Sequence, residues 1–196
     1  MFGINVMYRT QFRRTLGLVL TCLLLSEISY GQEISHVQEA TFLLRALSLD
    51  RNLGQRSGST ISIAVVHAGP AGAEESDLIA KAFEDAGQSG VLGRSLTVQV
   101  VIFESVEALI GRVDTEGINV IYIHSSIEPA LSAILQVTRG KRIPSITASR
   151  TFVESGVSLG VYSFAGMPKV TINVRAAQTE GLDFPAQLLA ISTVVR

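Results

Sequence analysis

Gly117-Ile118-Asn119-Val120-Ile121-Tyr122-Ile123-His124-Ser125-Ser126 is the stretch that decides the fold. Ile118 to Ile123 is apolar and β-branched, the pattern of a strand buried on both faces, and polar His124, Ser125 and Ser126 come where that strand would end. Strands of this kind belong to parallel sheets, in which ligands sit outside the carboxyl ends.

The neighbouring segments fit such a sheet. Upstream, Thr60 to Val66 and Leu96 to Phe103 read as strands, and Ile143 to Ala148 does so downstream. Helical periodicity lies between them. Asp77 to Ala86 carries Leu78, Ala82 and Phe83 on one side, a short helix falls near Val106 to Val113, and Glu128 to Thr138 turns Leu131, Ile134, Leu135 and Thr138 inward. An amphipathic helix precedes the first strand between Glu33 and Asp50, on Val37, Ala40, Leu43, Leu44 and Leu47. Alternation of this kind implies βαβ units with right-handed crossovers.

After Ala148 the pattern changes. Val157 to Phe164 and Lys169 to Val174, joined by Ala165-Gly166-Met167-Pro168, read as an antiparallel hairpin. A last helix is expected from about Pro185 to Val195, burying Leu188, Leu189, Ile191 and Val195. The expected fold is three-layer α/β, with a mainly parallel sheet flanked by helices, a C-terminal antiparallel hairpin and a closing helix.

The N-terminus reads as a targeting segment. Arg9, Arg13 and Arg14 precede the apolar run Leu16 to Leu25, and Ser29-Tyr30-Gly31 offers a small-x-small cleavage site. The run is too short for a membrane span, which needs about 20 residues. Residues 1–31 are therefore expected to be a cleaved signal peptide and residues 32–196 a single exported, periplasmic domain. Thr21 before Cys22 makes a poor lipidation site.

The formal charge is −1 over 196 residues, and the leader holds three Arg and one Glu, so the remainder is near −3. Mild acidity without basic clusters argues against nucleic-acid binding. The only cysteine, Cys22, lies in the leader, so stability must come from burial, which 47% apolar residues can supply.

Catalytic signatures are weak. Gly69-Pro70-Ala71-Gly72-Ala73 follows the first strand but lacks dinucleotide and phosphate-loop spacing, and Glu74, Glu75 and Asp77 crowd the helix start where a phosphate would bind. The serines lack a nucleophile elbow, and no carboxylate is placed by spacing to orient His124. Glu104 and Glu128 could approach as paired carboxylates, but capping of the following helices is the plainer reading. His36, His67 and His124 are too scattered for a local metal motif, so no metal and no cofactor is expected. With strand order 2-1-3-4, however, His67 and His124 would lie at neighbouring strand ends. Together with Ser125 and Ser126 they form a candidate ligand-binding crevice.

The last forty residues add a resemblance. Val170-Thr171-Ile172-Asn173-Val174-Arg175-Ala176-Ala177, Glu180-Gly181-Leu182 and Leu188-Leu189-Ala190 resemble the closing segment of the YfiR family of exported bacterial proteins. Ala40 to Leu47, Gly93-Arg94-Ser95-Leu96-Thr97-Val98 and Asn119 to Ser125 fit the same template in order, as do Ile143 to Thr147 with Phe152, Gly156 and Val157. Two departures stand out. Ile118 occupies a position that is cysteine in many members, and Leu49-Asp50-Arg51-Asn52-Leu53 replaces an aromatic-proline helix end. The resemblance implies a non-enzymatic periplasmic regulator that binds the sensor domain of a membrane diguanylate cyclase and holds it inactive, lowering cyclic di-GMP and limiting biofilm formation. A homodimer is left open. The alternative is a periplasmic small-ligand binding component of a sensory or uptake system.

Overall fold

Val120–Ile123 forms an interior strand of a seven-stranded sheet in the computed structural model, which describes residues 34–88 and 90–196. The expected signal peptide lies outside the described residues. In chain order the elements are α1 (His36–Ser48), α2 (Leu53–Ser57), β1 (Thr60–His67), α3 (Ala73–Gly87), β2 (Ser95–Ile102), α4 (Val106–Glu116) and β3 (Val120–Ile123). Then come α5 (Leu131–Lys141), β4 (Ser145–Thr147), α6 (Arg150–Glu154), β5 (Leu159–Phe164), β6 (Met167–Asn173), α7 (Val174–Thr179), α8 (Ala186–Ile191) and β7 (Thr193–Val195). Two 3₁₀ turns, Pro70–Gly72 and Ser125–Ala130, precede α3 and α5.

The strand order is β2-β1-β3-β4-β5-β6-β7. All pairs are parallel except β5 with β6. This is the expected α/β architecture, with β2, β1, β3 and β4 in the order that brings His67 and His124 to adjacent strand ends.

Alternation along the strands divides the core. Ile61, Ile63, Val65, Val120 and Tyr122 face α1 and α3, while Ala64, Val66, Ile121 and Ile123 face α4 and α5. Both clusters are buried, so the interior strands read as near-continuous apolar runs. Because β3 is short, the Asn119 side chain extends the ladder. Its Oδ1 accepts from Ser62 N–H at 2.9 Å, and its Nδ2 donates to Thr60 O at 3.0 Å.

Local chemistry sets the element ends. Ser35 and Gln38 form a reciprocal capping box at α1, and Ser105 caps α4. The hairpin turns on Ala165 (φ 51°) and Gly166 (φ 74°), the two positive φ values of a type I′ turn. Pro168 therefore lies inside β6, opposite Ser163 and beyond the reach of β7, where its missing N–H leaves no ladder gap.

Two expectations are corrected. The closing helix does not continue to Val195. It stops at Ile191, Ser192 turns extended (φ −97°, ψ 159°), and Thr193–Val195 adds a strand parallel to β6. β-branched Thr193, Val194 and Val195 gain more from pairing on an open edge than from one more helical turn. Ile191 consequently faces solvent, as does Leu78 on α3, where Ile79 takes the inner position. Between α1 and β1, residues 51–59 contain the short helix α2, whose Leu53 is buried.

Candidate functional site

The candidate site lies where β1 and β3 end. His67 is buried, and its Nδ1 lies 2.9 Å from Gly69 O. A carbonyl can only accept, so Nδ1 carries the proton. The ring therefore braces its own turn.

His124 has a wider network. Ser126 N–H donates to His124 Nδ1 at 3.1 Å, and Ser126 Oγ lies 2.8 Å from the same nitrogen. A backbone N–H can only donate, which makes Nδ1 an acceptor and puts the ring proton on Nε2. Nε2 then donates to Glu75 Oε2 at 2.9 Å. Ser126 Oγ also accepts from Ala68 N–H at 3.0 Å, tying the β1 and β3 loops together. Gly72 allows this approach, because a Cβ there would stand 2.5 Å from Ser126 Oγ and 2.9 Å from His124 Nδ1.

The structure thus joins His124 with Ser126. It turns His67 toward Gly69 and leaves Ser125 exposed. It also supplies the carboxylate that spacing did not reveal, Glu75, from the first turn of α3. Glu104 and Glu128 are exposed, Glu104 just before α4 and Glu128 in the 3₁₀ turn before α5, after strands that β1 separates.

Two residues before His124, on the same face, Tyr122 extends the polar seam inward. Its hydroxyl donates to Glu39 Oε1 at 2.8 Å, and Phe83 meets its ring edge-on with centroids 5.6 Å apart. Glu39 is buried, and burial pushes its carboxyl up to about 7 against the lowering effect of the Tyr122 bond, with Glu75 repulsion adding to the rise. Burial and then the Glu39 charge raise the Tyr122 phenol well above its ordinary value, so it remains a donor. His36 Nδ1 lies 3.9 Å from Glu39 Oε2. Among the described residues, no group of three or more His, Cys, Asp or Glu converges as a metal-ligand set.

A second polar centre lies at the end of β6. Glu180 is fully buried and accepts from Ser145 N–H (2.8 Å), Ser145 Oγ (2.9 Å), Thr138 Oγ1 (2.6 Å) and Ser158 Oγ. Burial raises its carboxyl and these donors oppose the rise. One side chain thereby links α5, β4 and the start of β5 to the segment after α7. Next to it, Gly181 takes φ 82°, and its carbonyl accepts from Arg56 Nη1 (2.6 Å) and Asn52 Nδ2 (3.0 Å). Arg56 also pairs with buried Asp50, whose Oδ1 accepts Asp183 N–H at 2.8 Å. The segment that departs from the family pattern, Leu49 to Leu53, therefore holds the Glu180-Gly181-Leu182 turn in place.

The YfiR/HmsC-like family profile matches residues 40–193, which includes β1 to β6 and this turn. The chain belongs to the YfiR/HmsC-like family. Membership supports a periplasmic regulatory role rather than an enzymatic one. No curated protein sequence matches the chain significantly.

Solved structures share the fold of this YfiR/HmsC-like chain. A conserved domain protein from Vibrio cholerae aligns with TM-score 0.57 and 16% identity, covering 82% of this chain and 60% of that one. An ABC domain in complex with L-Trp from Streptococcus pneumoniae aligns with TM-score 0.55 and 15% identity over the same shares. CD0873 from Clostridium difficile, a substrate binding protein with adhesive properties, gives TM-score 0.51 and 13% identity, covering 74% and 57%. The chain thus spans less than two thirds of the length of each. Among the described residues, no helix is long and apolar enough to cross a membrane.

Proposed function

We propose that this protein is exported to the periplasm and represses a membrane diguanylate cyclase by binding its periplasmic sensor domain, thereby lowering cyclic di-GMP and restraining biofilm formation. The carrying observation is the family match over residues 40–193. Supporting it, motif residues of the resemblance have structural duties in this chain. Asn173 Oδ1 caps α7 by accepting Ala176 N–H at 3.0 Å, and buried Glu180 anchors four donor groups. A repressor of this kind requires two states that differ in partner affinity rather than a catalytic group. The test is cellular cyclic di-GMP in the native host with the gene deleted and then restored. A rise on deletion that the exported copy reverses is expected. Co-purification of a membrane cyclase with the tagged chain is the biochemical counterpart.

A second reading is a small-ligand binding component that uses the strand-end crevice at His67, His124, Ser125 and Ser126. It is favoured by the shared fold with substrate binding proteins and by the position of these residues at the carboxyl ends of β1 and β3. A ligand-induced thermal shift that is lost in the His67→Ala, His124→Ala double variant is its expected signature. An unchanged shift rejects those residues.

A further inference from the structure

The hairpin of β5 and β6 runs past the rest of the sheet. β4 pairs only with Leu159 and Gly160 of β5, and β7 only with Thr171 to Asn173 of β6. Residues 161–170 therefore form a two-stranded ribbon that pairs with no other described strand. Because β5 is parallel to β4, the ribbon leaves from the carboxyl edge of the parallel strands.

Burial falls along the ribbon, and its last rung is Phe164 beside Met167, 59% and 65% exposed. The turn between them adds only Ala165 and Gly166. Type I′ turns favour Asn or Asp before Gly, which are polar and tolerate positive φ, yet here an alanine holds φ 51°. Four consecutive residues thus present no polar side chain to water.

Cations stand behind this apolar tip. Cross-strand partners share a face and alternate residues return to it, so Tyr162 and Lys169 lie on the face of Phe164 and Met167, about 7 Å further back. Arg150 of α6 stands over the Tyr162 ring, 5.9 Å from its centroid. Its Nε donates to Glu154, and its terminal nitrogens carry further donors. Among the described residues no ion pair engages Lys169, and residues 155–179 contain no Asp or Glu.

We propose that the ribbon tip docks on an anionic phospholipid surface, with Phe164 and Met167 below the headgroups, Tyr162 at the boundary, and Lys169 and Arg150 on the phosphates. The spacing fits this placement. Apolar groups of interfacial segments sit about 5 to 10 Å into the headgroup and acyl boundary, so cations about 7 Å behind the tip fall level with the phosphates. Tyrosine suits the boundary because its ring is apolar and its hydroxyl polar. A narrow convex tip enters lipid without a preformed pocket, which a protein receptor would have to supply. Since the formal charge of the whole chain is −1, attraction to anionic lipid is local to these cations and turns the ribbon toward the surface. The contact does not depend on which protein the chain regulates.

The chain contains no tryptophan, so a single introduced indole reports its own surroundings. In the full chain, Phe164→Trp is expected to shift its emission to the blue with vesicles of equal parts phosphatidylcholine and phosphatidylglycerol, and to be quenched by brominated acyl chains. Leu92→Trp, an exposed site before β2 at the opposite edge of the sheet, is expected to stay in water. Residues 1–31 are common to both variants, so the difference between the two positions reads the tip. Adding Lys169→Glu to Phe164→Trp is expected to lower the apparent lipid affinity about tenfold or more, since the charge changes by two. Phosphatidylcholine alone is expected to weaken it likewise. An indole at position 164 that stays in water with both vesicles overturns the proposal, as does an equal shift at position 92 or an affinity that Lys169→Glu leaves unchanged. A shift at position 164 that requires an added membrane protein assigns the tip to a protein groove and also overturns it.

Discussion

Glu75 Oε2 and His124 Nε2, 49 residues apart in sequence, meet at 2.9 Å across the gap between the start of α3 and the end of β3. The Glu75 side chain is 51% exposed and His124 only 4%, so the two ends of the pair differ in what their loss would mean. Glu75→Ala lets water reach the imidazole N–H and is expected to cost about 1 kcal/mol or less. His124→Ala removes the acceptor for Ser126 N–H and opens a hole under Gly72, with an expected loss of about 2 to 3 kcal/mol. Urea unfolding of both variants checks the order. An equal or larger effect of Glu75→Ala contradicts it.

Gly72 is held by packing rather than by backbone conformation, since its φ is −108°. Gly72→Ala is expected to push the Ser126 loop away and to destabilise by about 1 to 3 kcal/mol. Loss of slow amide exchange at Ser126 and Ala68 in that variant is the local readout.

Glu39 gives the fold a pH dependence of definite sign. Its folded carboxyl titrates at about 7 against an ordinary value of 4.5, so between these values the native state binds more protons than the unfolded state. Stability is therefore greatest at the acid end of this window and falls as pH rises through it, by up to about 3 kcal/mol. Glu39→Gln keeps an acceptor for Tyr122 and removes the ionisation. It is expected to flatten the slope between about pH 5 and 8 and to raise stability at the alkaline end. Denaturation curves at several pH values test this, and a slope unaltered by the substitution contradicts it. The Glu180 carboxyl is shifted in the same direction, by burial.

Glu180→Gln is expected to behave differently from Glu39→Gln. Glu39 accepts from one hydroxyl, whereas Glu180 accepts from the Ser145 N–H and from three hydroxyls. A glutamine amide sets two donors among those donors, and leaving buried partners unmatched costs about 2 to 3 kcal/mol. Thermal unfolding near neutral pH separates the two variants. Similar melting temperatures for both contradict the role given to Glu180.

Asn119→Ala leaves Ser62 N–H and Thr60 O without the partners that extend the β1 to β3 ladder. An expected loss of about 2 kcal/mol, with faster exchange of the Ser62 amide, follows from two unmatched part-buried groups.

Much of the fold was legible because apolar, β-branched runs and helical spacing coincide from Thr60 to Ala148, whereas the strand order that places His67 beside His124 was only one arrangement those elements allow, and the sheet adopts it. The closing helix was overextended because Leu188 and Leu189 continue plausibly to Val194 and Val195. Only the open edge of β6 shows why Thr193–Val195 becomes a strand. Leu78 and Ile191 were assigned to buried faces because periodicity gives a stripe but not its centre. At the site, His124 and Ser126 could be found from their position after an apolar run, whereas Glu75 read as a helix-dipole carboxylate. Glu39 looked like any polar residue on an amphipathic helix, and its partner Tyr122 lies 83 residues away. Glu180 was visible only as part of a motif, with no spacing that revealed its burial.

Cellular cyclic di-GMP in the native host is the most direct measurement of function, with this gene deleted and then restored as a copy carrying residues 1–31. Repression of a cyclase predicts a rise on deletion, a return to the starting level with that copy, and no return with a copy that lacks residues 1–31. An unchanged level on deletion contradicts repression of a cyclase by this protein.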